Sequence, residues 1–166
     1  MPKRYVYVPT SALLIILLDQ ASKLWILAKF PLWQVKPVIP GFFNLVHVAN
    51  RGAAFGFLNN SDTNWQLYLF MGFTLLALSV VAYLVRTTPP NDRLQLTALA
   101  CITGGALGNF IDRVRLDYVV DFLDFYVGKV HWPAFNVADI CICAGAGLLF
   151  LAFLRNEKNK AKGTEK

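Results

Sequence analysis

The chain has 166 residues, of which 56% are hydrophobic and 16% charged, with a formal net charge of +6. That apolar share exceeds what an ordinary soluble domain carries, and the charges gather between long apolar runs instead of along one helical face, so a bilayer takes the place of a polar surface. The basic residues form no stripe interleaved with exposed aromatics, which excludes nucleic acid as a partner. Cys101, Cys141 and Cys143 lie inside apolar runs without the spacing of a zinc site or a disulfide framework, so neither a metal nor another cofactor is expected.

Four windows reach the ~20 apolar residues that a spanning helix needs: 9–28, 66–86, 94–111 and 137–154. They predict an all-α membrane protein with one domain over 1–155 and a basic, disordered tail over 156–166. The first window resembles a signal sequence in length, but Asp19 and Lys23 interrupt it and no small-residue cleavage site follows, so it is expected to stay. Lys3, Arg4, Arg86, Arg93, Arg155, Lys158, Lys160, Lys162 and Lys166 would share one side. The excess of Lys and Arg makes that side cytoplasmic, with both termini there.

The connections 29–65 and 112–136 then face outward. Val35–Ile39 and Phe42–Val48 alternate around Pro40 and Gly41, which predicts a small extracytoplasmic β element beside a loop or helix. Asn59, Asn60, Ser61 and Asp62 offer turn or cap chemistry ahead of Trp65. Trp25, Trp33, Trp65 and Trp132 suit an interfacial aromatic belt, and His131 beside Trp132 an interfacial position.

Charges inside a span are costly and seldom idle. Asp19 and Lys23, four apart, share a helix face and can pair, either as a structural lock or as part of a reactive site. Gly104 and Gly108 form a small-xxx-small pattern that admits a neighbouring backbone. Asn109, Asp112 and Arg113 follow at the outer boundary; Arg113 suits a forked contact to a carboxylate or lipid phosphate, and capping or snorkelling would use the same residues. Asp121 sits among Val119, Val120, Phe122 and Leu123, in a setting too apolar for a solvated loop.

Asn136 and Asp139 open the fourth span at the spacing of a helix cap. The same acid, at the same depth as Asp121, could share a proton with it if the two converge. One carboxylate would then take a proton from water while its protonated neighbour supplies one to a peptide bond. Neither HExxH nor GxSxG occurs. Chemistry alone leaves Asp117 and Asp124 open as partners, and a proton pathway through Asp19, Lys23, Asp121 and Asp139 or a scaffold packed on Gly104 and Gly108 as other roles.

Five segments together resemble the lipoprotein signal peptidase family, also called signal peptidase II, over nearly the whole chain. They are Asp19-Gln20-Ala21-Ser22-Lys23, Asn50-Arg51-Gly52-Ala53-Ala54-Phe55-Gly56, Gly104 to Asn109 with Asp112-Arg113, Val119-Val120-Asp121-Phe122, and Phe135-Asn136-Val137-Ala138-Asp139. The family consists of four-helix inner-membrane aspartyl endopeptidases that cut bacterial prolipoproteins just before a diacylglyceryl-modified cysteine. The resemblance implies Asp121 and Asp139 as catalytic dyad. It implies Asn50, Gly52, Asn109, Asp112, Arg113 and Asn136 as residues lining or supporting the site, with Asp19 and Lys23 behind them. It also implies prolipoprotein substrates, contact with membrane lipids, cyclic peptide inhibitors of the globomycin type, a monomer, and a site at the periplasmic face. Arg51 stands where the family often has Thr or Tyr. Gly52 and Gly56 suggest that the loop from Asn50 to Phe57 closes over the site as a clamp.

Overall fold

The computed structural model describes residues 4–52 and 65–164, with side chains described as far as 158. In chain order the elements are α1 (Arg4–Lys29), β1 (Val35–Ile39), β2 (Phe43–Asn50), α2 (Trp65–Thr87), α3 (Arg93–Leu116), β3 (Val119–Val127), β4 (Val130–His131) and α4 (Val137–Thr164). Each helix is long and apolar enough to cross a membrane.

α1 and α3 run in one direction. Arg4 of α1 reaches the Thr88 carbonyl just ahead of α3, while Lys23, further along α1, bonds Asn109 near the end of α3. α3 is the central helix: 50% of its apolar window is buried within the protein, against 11% for α2. The cause is small residues on more than one of its faces. A Cβ at Gly104 would lie 2.7 Å from the Ile15 Cβ of α1, and one at Gly105 would collide with the Ala138 carbonyl of α4. Such close backbone approach is how helices associate where lipid removes the hydrophobic drive between them. α2 presents Tyr68, Phe73, Leu75 and Leu76 outward instead, as a lipid-facing helix should.

Asp92 caps α3, its carboxylate accepting from the Gln95 N–H at 3.1 Å and pairing with Arg155 of α4 at 2.6 Å. At the other end Asp117, at φ 63°, donates its N–H to the Arg113 carbonyl and turns the chain into β3. An Asp tolerates this left-handed backbone better than most residues.

The β element is larger than the first outward loop alone predicts. Four strands in the order β1-β2-β3-β4 form an antiparallel array, and the last two come from the second connection. β3 carries no simple alternation because Val119, Val120, Asp121 and Phe122 are all buried. Ile26 and Phe30 at the end of α1 pack against Val120 and Phe122, seating the sheet on the end of the bundle. Each such buried side chain contributes about 1.5–3 kcal/mol.

Beyond Leu154, α4 continues to Thr164. Lys, Glu and Ala in that stretch are good helix formers, and the spanning segment before them has already met the nucleation cost. Among the described residues no helix occurs besides the four spans. The Asn59–Asp62 stretch, and the clamp segment beyond Gly52, lie outside the described residues.

Candidate active site

The site is assembled around one buried ammonium. Lys23, 1% exposed, donates to Asp19 Oδ2, Asp112 Oδ2 and Asn109 Oδ1, each at 2.9 Å. Three bonds use all three of its N–H groups. The pairing of Asp19 with Lys23 is therefore one side of a cluster that ties α1 to α3. Both carboxylates also hold backbone. Asp19 Oδ1 accepts from the Ala138 N–H at the start of α4 at 2.9 Å, and Asp112 Oδ2 accepts from the Val120 N–H of β3 at 3.1 Å. Gly108 lets Asp19 in, since a Cβ there would stand 2.6 Å from Asp19 Oδ2.

An ammonium has no acceptor, so the Asn109 side chain must turn its oxygen to Lys23 and its amide hydrogens the other way. They meet Asp139: Asn109 Nδ2 donates to Asp139 Oδ1 at 2.8 Å. Asp139 is held again by a reciprocal helix cap. The Asn136 N–H donates to Asp139 Oδ2 at 3.1 Å while the Asp139 N–H donates to Asn136 Oδ1 at 3.0 Å. This is the capping arrangement that the spacing predicts, and it sits where the positive end of the α4 dipole stabilises a negative charge. The capping residue and a cavity-lining carboxylate are thus the same.

The Asn136 amide makes two further bonds, one to Asn109 Oδ1 at 3.2 Å and one that joins the two acids. Its Nδ2 donates to Asp121 Oδ1 at 2.7 Å, and Asn50 Nδ2 from β2 donates to Asp121 Oδ2 at 2.8 Å. Asn50 is fixed in turn by the Gly52 N–H on its Oδ1 at 2.9 Å. Asp121 is 2% exposed. Burial and then the negative charge of Asp139 push its carboxyl up to about 7, against the pull of the two amide donors. Asp121 and Asp139 both face a cavity of ≈ 680 Å³, whose wall includes Asn109, Arg113, the strap Trp132–Phe135, and Ile140 and Ala144 of α4.

Of the residues singled out in the sequence, Asn50, Gly52, Asn109, Arg113, Asp121 and Asp139 line this cavity, and Asp19, Lys23, Asp112 and Asn136 stand behind it. Arg113 donates to the Asn109 carbonyl at 3.3 Å and lies over the Phe70 ring of α2 at 5.4 Å. Gln20 is a member that sequence reasoning missed. Its amide donates to Asp112 Oδ1 at 2.9 Å and to the Gly108 carbonyl at 3.2 Å, and its oxygen accepts from Arg115 at 3.2 Å. Its neighbour Asp19 was the available signal. Trp132 lines the cavity as well as being exposed in the manner of a belt residue. His131 has a partner in Asp124, at 2.9 Å. Asp124 is also bonded by Asn44 at 2.8 Å and is absent from the cavity wall. Asp117 serves as the cap of α3. No group of metal-ligating side chains occurs among the described residues.

Residues 11–155 match the model of the family described as signal peptidase (SPase) II. A lipoprotein signal peptidase of Nitratidesulfovibrio vulgaris is 52% identical over 144 residues, covering 87% of this chain and 87% of its own. That of Maridesulfovibrio salexigens is 49% identical over 142 residues, covering 86% and 91%. A solved structure described as a bacterial membrane enzyme determined by the in meso method superposes with a TM-score of 0.81 at 31% identity, covering 92% of this chain and 90% of that one.

Proposed function

The chain belongs to the signal peptidase II family, the aspartic peptidases that cleave signal peptides from prolipoproteins, and from that premise we propose that Asp121 and Asp139 are its catalytic dyad. The observation that carries this is the Asn136 bridge. One side chain caps α4 through Asp139 and bonds Asp121, so both carboxylates are aimed into one cavity.

The shared proton rests on Asp121, the acid that burial and its neighbour's charge hold protonated up to about pH 7. Asp139, with two N–H donors and a helix N-terminus behind it, is the base. Water between them loses a proton to Asp139 as its oxygen bonds the scissile carbonyl carbon, and Asp121 gives its proton to the carbonyl oxygen. Collapse of that tetrahedral intermediate returns the hydroxyl proton to Asp121 and sends the proton on Asp139 to the leaving nitrogen, breaking the C–N bond. Arg113 stands in the wall where it can hold the substrate's carbonyl or glyceryl ester oxygens. The titration belongs to the pair.

The scissile bond is the one just before a diacylglyceryl-modified cysteine. The apolar wall made by Ile140 and Ala144 beside the acids suits a substrate presented at the bilayer surface. Arg86, Arg93 and Arg155 lie at the end of the bundle opposite the dyad, which supports cytoplasmic termini and a periplasmic site in a bacterial inner membrane. The enzyme acts as a monomer, and cyclic peptides of the globomycin type occupy the same cavity.

The test is cleavage of a purified diacylglyceryl-modified prolipoprotein in detergent by wild type, Asp121→Asn and Asp139→Asn. Both variants should lose at least about a thousandfold in kcat/KM, within the range that positioned acids and bases supply. Full activity in either would refute the dyad.

A further inference from the structure

At the end of the bundle away from the dyad, α1 and α3 part around a second cleft, of ≈ 460 Å³, lined by Arg4, Tyr7, Pro90, Asn91, Arg93 and Leu96. Two guanidinium groups face it, and no acid among the described residues does. The nearby carboxylate of Asp92 is already committed to Arg155 at 2.6 Å and to the Gln95 N–H at 3.1 Å. Arg4 is half-buried and held in place. Its Nη1 donates to the Thr88 carbonyl at 2.7 Å and its guanidinium lies 5.0 Å from the Tyr5 ring centre. Its Nε is buried with no partner among the described residues. Arg93 has no side-chain partner among them either. A buried charged donor left without an acceptor costs more than a neutral one, so the Arg4 Nε calls for an unseen partner, and the exposed Arg93 offers a second guanidinium beside it.

The chemistry of that partner is an anion of tetrahedral oxygens, which forked guanidinium groups bind well. The N-termini of α1 and α3 open at this same end and add to the positive potential. Tyr7 and Leu96 give the cleft an apolar flank, and the exposed Leu14 lies two turns beyond Tyr7 on the same face of α1. A phosphate that brings its own hydrocarbon matches both halves. We propose that this cleft binds the headgroup phosphate of an anionic phospholipid between Arg4 and Arg93, with its acyl chains along α1. The site is separate from the dyad: Arg4 lies 15 positions before Asp19 on α1, roughly 22 Å along the helix axis.

Native mass spectrometry of the detergent-solubilised protein, titrated with phosphatidylglycerol or phosphatidylcholine, tests this. Wild type should retain one phosphatidylglycerol about tenfold more tightly than Arg4→Gln/Arg93→Gln, and phosphatidylcholine should not distinguish the two proteins. Because Arg93 is exposed, Arg93→Gln alone folds without difficulty and should lose part of the preference, whereas Arg93→Lys should keep most of it. Cleavage of prolipoprotein by the double variant reports an intact fold. Equal phosphatidylglycerol binding by wild type and Arg93→Gln would overturn the site. Displacement of the lipid by inorganic phosphate at comparable concentration would overturn the lipid as its occupant.

Discussion

Asp121 and Asp124 stand three residues apart on β3, are 2% and 7% exposed, and each accepts an amide N–H from an Asn of β2 at 2.8 Å. Their surroundings separate them. Asp121 meets Asn136 and, through it, Asp139 and a cavity. Asp124 meets His131, half-exposed on β4, and helps fasten the hairpin that leads into the Trp132–Phe135 strap. A buried, amide-bonded carboxylate is therefore not yet a catalytic one. What sets Asp121 apart, and supports the proposed dyad, is a second acid beside it and a cavity in front of it.

The largest effect should come from exchanging the same atoms at the two positions. Asp121→Asn is expected to abolish prolipoprotein cleavage, whereas Asp124→Asn should keep kcat within about tenfold and act mainly on KM through the strap. Steady-state kinetics on both variants checks this, and equal losses would erase the contrast.

Next comes pH. A carboxyl held up to about 7 is protonated below that value and ionised above it. With Asp121 as the proposed acid, kcat/KM should fall about tenfold per pH unit above pH 7, as loss of a single essential proton requires. A profile flat to pH 9 would place the working proton elsewhere.

Asn136→Ala separates capping from catalysis. Loss of an N-cap costs about 0.5–2 kcal/mol of stability, but the variant also removes the bridge to Asp121. Activity should drop about a hundredfold, with only a modest fall in thermal midpoint. If Asn136→Asp restored the midpoint and full activity together, the bridge would have no role beyond capping.

The smallest effect is expected at His131→Ala. A partly exposed pair contributes about 0–1 kcal/mol, so both stability and kcat should change little, and any change should appear in KM.

Much of this molecule is legible residue by residue. The lengths of the apolar runs predict all four helices, with ends within about five positions except that of α4, and the Asn136–Asp139 spacing predicts the cap. β3 was less legible, because burial of Val119 to Phe122 on both faces removes the alternation that marks a strand. Gln20 had only its neighbour Asp19 as a sign of its place between Asp112 and Gly108. The role of Lys23 likewise needed three partners from two helices.

Run length, charge placement and i,i+3 or i,i+4 spacing are local properties, so the membrane class, the four helices and the set of polar residues near one boundary are all readable from the amino acids in order. The physical route from Asp121 to Asp139 through Asn136, and the turning of Asn109 toward Asp139 by Lys23, are visible only in three dimensions. Those outcomes depend on how closely α1 and α4 approach the glycines of α3 and on which face of β3 is turned toward α4. Both are fixed by packing between segments far apart in the chain.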